Sequence, residues 1–160
     1  MRTIRLPIMM QTTKHLYTGV RIALLAALLS LSLPSHAWWD LGHAVICEQA
    51  LSAVSADIRT DIEGLLDGEE FGRACGWADR VRSKRPESSA WHYINLPPGM
   101  TDVRDEQHPA KDDLLIALDA QLAILADRQA DSLQRAEALR WVGHLVGDLH
   151  QPMHVGYQSD

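Results

Sequence analysis

Six histidines follow residue 37, namely His43, His92, His108, His144, His150 and His154. His144 and Asp148 are four residues apart in a strongly helical stretch, so they share one helix face a turn apart. His154 comes just after Pro152, where a turning chain can bring it back beside the helix end. Imidazole nitrogen and carboxylate oxygen at this spacing suit zinc, which takes both in tetrahedral or slightly expanded geometry. The same pair also makes an ordinary ion pair on a helix surface, and the spacing alone leaves both readings open. His150 reads instead as a core or helix-terminal histidine.

Two further segments hold candidate ligands. Asp79 stands in Gly76-Trp77-Ala78-Asp79-Arg80-Val81-Arg82 and, taken alone, reads as a surface partner of Arg82 or Ser83. His92 lies between Trp91 and Tyr93 and, taken alone, reads as a hydrogen-bonded core histidine.

Helices have to bring these residues together. Val45, Ile46, Ala50, Leu51 and Val54 have helical spacing over 43–54. A second helix is expected from Ser55 or Asp57 to Leu66, closed by Asp67-Gly68, and a third over 73–84, stopped before Pro86. Trp91–Asn95 is aromatic and β-branched, hence extended or a short strand, and 96–110 is polar loop. From Lys111 the leucines at 114, 115, 118, 122 and 125 form one apolar stripe. A last helix runs from about Ser132 to Leu149, burying Ala138, Val142, Leu145, Val146 and Leu149, and must end near Gln151 because Pro152 follows. The expected fold is mainly α, a compact multi-helix domain with essentially no sheet. The 160 residues suffice for one such domain, and 46% hydrophobic with 22% charged residues excludes a disordered tail or a coiled coil.

The N-terminal 37 residues read differently. Arg2, Arg5, Lys14 and Arg21 precede a block of twelve largely apolar residues, 22–33, and Pro34-Ser35-His36-Ala37 comes next. The block is too short to span a bilayer, which takes roughly 20 apolar residues. This is the pattern of a secretory signal peptide, cut after Ala37, with Met9 or Met10 as possible starts. The expected location is periplasmic or secreted, with no membrane anchor after cleavage. Residues 38–160 carry 11 basic against 21 acidic residues, a formal net charge of −10. A chain that acidic has no basic face to hold a nucleic-acid duplex by counterion release. Phosphate chemistry here needs imported positive charge, most simply metal ions. Cleavage also makes Trp38 the new N-terminus, five residues before His43. An α-amino group ordinarily has a pKa of about 7.7–8.0, low enough to deprotonate onto a metal, and with its own carbonyl it makes a five-membered chelate. The other reading is that Trp38 and Trp39 simply anchor the chain start on the core.

Four segments taken in order, Trp38-x4-His43, Trp77-Ala78-Asp79-x2-Arg82, Trp91-His92-Tyr93-Ile94 and His144-x3-Asp148-x-His150-Gln-Pro-x-His154, resemble the trinuclear-zinc nucleases of the S-one/P-one type. These are single-strand-specific nucleases and 3′-nucleotidases, related to the zinc phospholipases C. The resemblance spans nearly all of 38–160. It implies that Asp79, His92 and His144 hold one zinc, and that the Trp38 amine and carbonyl with His43 hold a second. Asp148 bridges the two, and His154 belongs to a third. In the family the third ion is completed by a later His-x3-Asp pair, which the sequence to Asp160 does not contain; His108, in a Pro-flanked loop, is a poor substitute. The chain is therefore expected to be the N-terminal part of such a domain, with three zinc ions for the complete site and the third site incomplete here.

The resemblance also implies substrate contacts. Arg82 grips a phosphate oxygen, its alternative being a solvated partner of Glu87 or Asp79. Tyr93 stacks on a base and Asn95 bonds its edge. Met100 falls near where some relatives place a basic contact. Stacking on an exposed base favours single strands, because duplex bases are unavailable to it. Zinc lowers the pKa of water from about 15.7 towards 7, and Asp79 could orient that water while Asp148 holds two ions together. The implied activity is hydrolysis of single-stranded DNA or RNA to 5′-phosphorylated products, with removal of 3′-phosphates from nucleotides. A zinc-dependent phospholipase C and a non-catalytic zinc-binding helical fragment are the alternatives; the four-residue gap between Trp38 and His43 favours the nuclease. If His43 and Asp79 converge on adjacent ions, Cys47 and Cys75, each one turn away, could come within the roughly 4.4–6.8 Å Cα spacing of a disulfide. Export permits that bond.

Overall fold

The computed structural model describes Arg21, residues 39–103 and residues 112–157. The signal segment 1–37, Trp38 and His108 lie outside the described residues. The chain divides between His36 and Ala37 into two units, and the helical architecture is that of the second. It is mainly α. Helices α1 (Asp40–Ala53), α2 (Ala56–Leu65), α3 (Phe71–Cys75) and α4 (Trp77–Val81) are followed by 3-10 turns at Arg82–Lys84 and Pro86–His92. Strand β1 (Ile94–Leu96), helices α5 (Leu114–Ala126) and α6 (Ser132–Leu149), a 3-10 turn Pro152–His154 and strand β2 (Val155–Tyr157) complete the order. No helix among the described residues is long and apolar enough to cross a membrane.

Local chemistry sets the ends of these elements. Ser55, Asp113 and Asp131 cap α2, α5 and α6 by accepting from backbone N–H groups in the first turn, each cap contributing about 0.5–2 kcal/mol. Asp67 and Gly68 both take positive φ, 51° and 81°, and the Gly68 N–H reaches back to the Glu63 carbonyl at 3.4 Å. That is the left-handed termination glycine permits. Helix α6 ends at Leu149, before Pro152.

Helix α6 is the axis of the core. Its Leu139 joins Cys47, Leu51, Leu66, Phe71, Ala74 and Cys75 in one apolar cluster. Further along, its Trp141 and Leu145 join Ala78, Ile94, Leu96, Leu114 and Ala117 in a second.

Several expectations need correction. The helix expected over 73–84 is broken at Gly76 into α3 and α4 and then tightens to a 3-10 turn. A Cβ on Gly76 would collide with Asp40 Oδ1, which is held by Arg80 Nη1 at 2.8 Å. Glycine leaves room for the Asp40 side chain of α1 at this point. The Leu114/115/118/122/125 stripe faces the core except at one position: Leu114 is buried, Leu115 and Leu118 pack against the second cluster and Leu125 against the first, but Leu122 is 43% exposed, and Ala117 and Gln121 are buried in addition. On α6, Val142, Val146 and Leu149 are only partly buried, whereas Trp141, Gly143, His144, Gly147 and Asp148 are buried beside Ala138 and Leu145. Trp91 and His92 belong to a 3-10 turn, and the extended stretch begins only after them. A small sheet does form, since β1 pairs parallel with β2 in the register Ile94↔Val155, Asn95↔Gly156, Leu96↔Tyr157. Its three residue pairs leave the fold helical.

Cys47 and Cys75 are joined in a disulfide, with Cα atoms 6.6 Å apart, tying α1 to α3. Closing a loop of 28 residues removes about 3–4 kcal/mol of unfolded-chain entropy. The Cys47→Ala/Cys75→Ala protein is therefore expected to lose that much stability in denaturant unfolding. An unchanged midpoint and slope would contradict it.

Candidate metal centre

Asp148 is where the site comes together. Its side chain is 2% exposed, and its two oxygens face different groups. Oδ1 lies 3.3 Å from His43 Nε2 and 3.7 Å from His154 Nε2. Oδ2 lies 3.0 Å from His144 Nε2 and 3.2 Å from His92 Nδ1. The i, i+4 relation on α6 accounts for the His144 contact; the other three partners arrive from α1 and from two 3-10 turns. Asp79, on α4, stands further back, 3.8 Å from His43 Nε2 and 3.9 Å from both His92 Nδ1 and His144 Nε2. Its surface alternative, pairing with Arg82 or Ser83, is not what the structure contains.

Two overlapping groups of potential ligands result: Asp79, His92 and His144, and His43, His144 and Asp148. The donor set fits a cation. His144 Nδ1 lies 2.8 Å from the Cys75 carbonyl, which can only accept, so the ring proton sits on Nδ1. The Nε2 lone pair then faces the Asp148 carboxylate at 3.0 Å and His92 Nδ1 at 2.9 Å. Lone pairs converging at this distance, on rings no more than 2% exposed, are repulsive unless positive charge lies among them. Burial raises the Asp148 pKa, but without a metal ion the imidazoles of His144, His43 and His92, where they carry donor protons towards it, outweigh burial and hold the carboxyl well below the usual carboxylate range. Because its folded pKa is the lower one, Asp148 stabilises the fold fully above about pH 4 and progressively less on acidification.

Packing fixes the rings. His43 stacks on His144 with centroids 3.9 Å apart and planes 24° from parallel. Trp141 meets the edges of His92 and His144, at centroid distances of 5.8 and 6.3 Å. With His43, His92, His144 and Asp148 buried and Asp79 and His154 partly so, the six-residue cluster is no surface ion pair.

Residues 38–160 match the sequence profile described as S1/P1 nuclease. The chain belongs to the S1/P1 nuclease family. Among curated relatives of this family it is 33% identical to Endonuclease 2 of Arabidopsis thaliana over 138 residues, covering 78% of this chain and 48% of the relative. It is 29% identical to nuclease P1 of Penicillium citrinum over 126 residues, covering 73% and 47%. With nuclease S1 of Aspergillus oryzae the identity is 23% over 137 residues, covering 81% and 48%. The chain spans about half the length of the curated relatives it matches.

Against the S1/P1 expectations, His43, Asp79, His92, His144, Asp148 and His154 lie together. Tyr93 and Asn95 line a pocket of about 310 Å³ with Met153 and His154. Arg82 opens the 3-10 turn directly after α4. Arg80 is paired with Asp40, and Arg85 is paired with Glu137. The Arg82 side chain is exposed and makes no ion pair among the described residues, neither with Glu87 nor with Asp79. Met100 packs against the second apolar cluster. His150 is exposed at the α6 C-cap, its Nδ1 2.7 Å from the Val146 carbonyl, and stands apart from the cluster.

Sequence reasoning missed the residues that make room for the rings. A Cβ on Gly147 would lie 2.6 Å from His43 Nδ1, and Gly143 is similarly hemmed in. Two glycines in the interior of one long helix, each costing about 1 kcal/mol relative to alanine, were the available signal. Gly147→Ala is therefore expected to destabilise the protein by about 1–3 kcal/mol despite its better helix propensity, because the stacked His43 ring cannot retreat. Thermal unfolding checks it, and a rise in Tm would refute the packing argument.

Proposed function

We propose that this chain holds the zinc ligands of an exported nuclease that hydrolyses single-stranded DNA and RNA to 5′-phosphorylated products and removes 3′-phosphates from nucleotides. The convergence of four buried ligands and Asp79 on one point, drawn from four separate segments, is the observation that supports this reading. Asp79, His92 and His144 would hold one zinc, Trp38 and His43 a second, with Asp148 shared and His154 serving a third. Bound zinc would supply the positive charge an anionic phosphodiester needs and an activated water at neutral pH.

The rest is the work of the chain's own residues. Asp79 keeps 18% exposure at its side chain and can orient the attacking water through a carboxylate oxygen. Arg82, with its planar fork and no carboxylate to satisfy, grips a phosphate oxygen. Tyr93 offers its ring to an unpaired base and Asn95 its amide to the base edge. In a duplex both the face and the edge of a base are taken, so single strands are preferred. The net charge of −10 over 38–160 argues in the same direction, against holding a duplex. Residues 1–37 direct export to the periplasm or beyond and are removed.

Zinc-loaded protein is expected to release nucleotides from single-stranded DNA and not phosphocholine from phosphatidylcholine. The reverse result would replace the nuclease with a phospholipase C, and turnover of neither substrate would leave a zinc-binding domain. Arg82→Ala is expected to lower turnover roughly 10- to 100-fold, the worth of one charge-assisted hydrogen bond, with bound zinc intact. Loss of zinc in that variant would mean that Arg82 supports the fold of the site instead.

A further inference from the structure

The disulfide sits against the metal centre on three sides. Cys47 is on α1, one turn beyond His43, and both are buried on the same stripe of that helix. Cys75 is the last residue of α3, and its carbonyl receives His144 Nδ1 at 2.8 Å. On α6, a Cβ at Gly143, the residue before His144, would collide with Cys75 Sγ and lie 3.0 Å from Cys47 Sγ. The sulfur pair is thus the surface on which α6 rests where it presents His144. Cys47 and Cys75 are 2% and 0% exposed, so no solvent layer cushions these contacts.

Resting on the proposed zinc function, we propose that the Cys47–Cys75 disulfide is a positioning element of the metal centre. Through the Cys75 carbonyl it fixes the tautomer and ring plane of His144. Through α1 it presses His43 onto that ring. A staple placed only for stability could join α1 and α3 anywhere along their length. This one ends at the residue whose carbonyl orients a ligand. Hydrogen-bond partners of metal-bound histidines typically carry a 10- to 100-fold share of metal affinity. Thiols stay reduced in the cytosol, so the centre reaches its full affinity only in an oxidising compartment.

The test compares zinc affinity, by competition with a chromophoric chelator, in the mature protein, in Cys47→Ala/Cys75→Ala and in Leu66→Ala. Leu66 is buried in the same apolar cluster as the disulfide but follows α2, which carries no site residue. All three are measured well below their unfolding midpoints. Zinc binding 10- to 100-fold weaker in the cysteine variant, with Leu66→Ala matching the parent, supports the proposal. Equal affinity in the cysteine variant and the parent overturns it, as does an equal loss in both variants. A parent that binds no zinc overturns the metal reading itself, which is a distinct outcome. Should the cysteine variant not fold, nitrogen-15 NMR of the zinc-loaded parent's histidines decides: a proton on His144 Nδ1 supports the coupling through the Cys75 carbonyl, and an unprotonated Nδ1 overturns it.

Discussion

Asp148→Asn is expected to strip most of the zinc from the protein and abolish turnover, with the helical fold retained. The two side-chain oxygens of Asp148 serve different histidine sets, His43 with His154 and His92 with His144. The amide keeps the shape but removes the negative charge and turns one acceptor into a donor, aimed at nitrogens that must present lone pairs. Removing one partner of a buried ionic network costs about 3–5 kcal/mol, equivalent to a roughly 10²- to 10⁴-fold loss of zinc affinity. His150→Ala, two residues on, removes an exposed ring bonded to the Val146 carbonyl and is expected to leave zinc and turnover near parental values. Metal content after desalting and hydrolysis of single-stranded DNA measure both. Equal zinc loss in the two variants would refute the ligand assignment.

The second large effect concerns the chain start. Protein beginning at Trp38 and protein retaining Ala37 ahead of it differ by a single residue and by no side chain of the site. The proposed second zinc takes the Trp38 amine and carbonyl together with His43. An amide nitrogen has no basic lone pair to offer, and the added residue claims the same space. The extended form is expected to bind less zinc and to lose most of its turnover, with unchanged circular dichroism. That outcome would make signal cleavage an activation step that keeps the enzyme harmless before export. His43 is 1% exposed in the first turn of α1. Equal zinc content and equal turnover in the two forms would remove the chelate and the second metal site as drawn.

What could be read from the residues alone was local. Helices α1, α2 and α6 lie where periodicity and capping residues place them, because a 3.6-residue repeat and a capping oxygen act within one or two turns. The i, i+4 pairing of His144 with Asp148 belongs to the same class. Face selection on α5 erred only at Leu122, for a physical reason. Apolar residues continue round that helix to Leu122 and Ile124, so the edge of the stripe does not stand out from the rest. The close approach at Gly76 was equally silent, since the side chain it makes room for is Asp40 on another helix.

Residue types and spacing establish which donors exist and on what elements they ride: four histidines and two carboxylates on helices and turns, with an acidic remainder that calls for metal ions to meet phosphate. Family resemblance then supplies the grouping. Packing in three dimensions settles the rest. It divides the Asp148 oxygens between His43 with His154 and His92 with His144, sets the His144 tautomer through the Cys75 carbonyl, and leaves room at Gly143 and Gly147 for sulfur and ring. Most of these contacts join segments tens of residues apart, and they depend on how close two helices approach. Spacing along one helix carries no record of the neighbour that will lie against it.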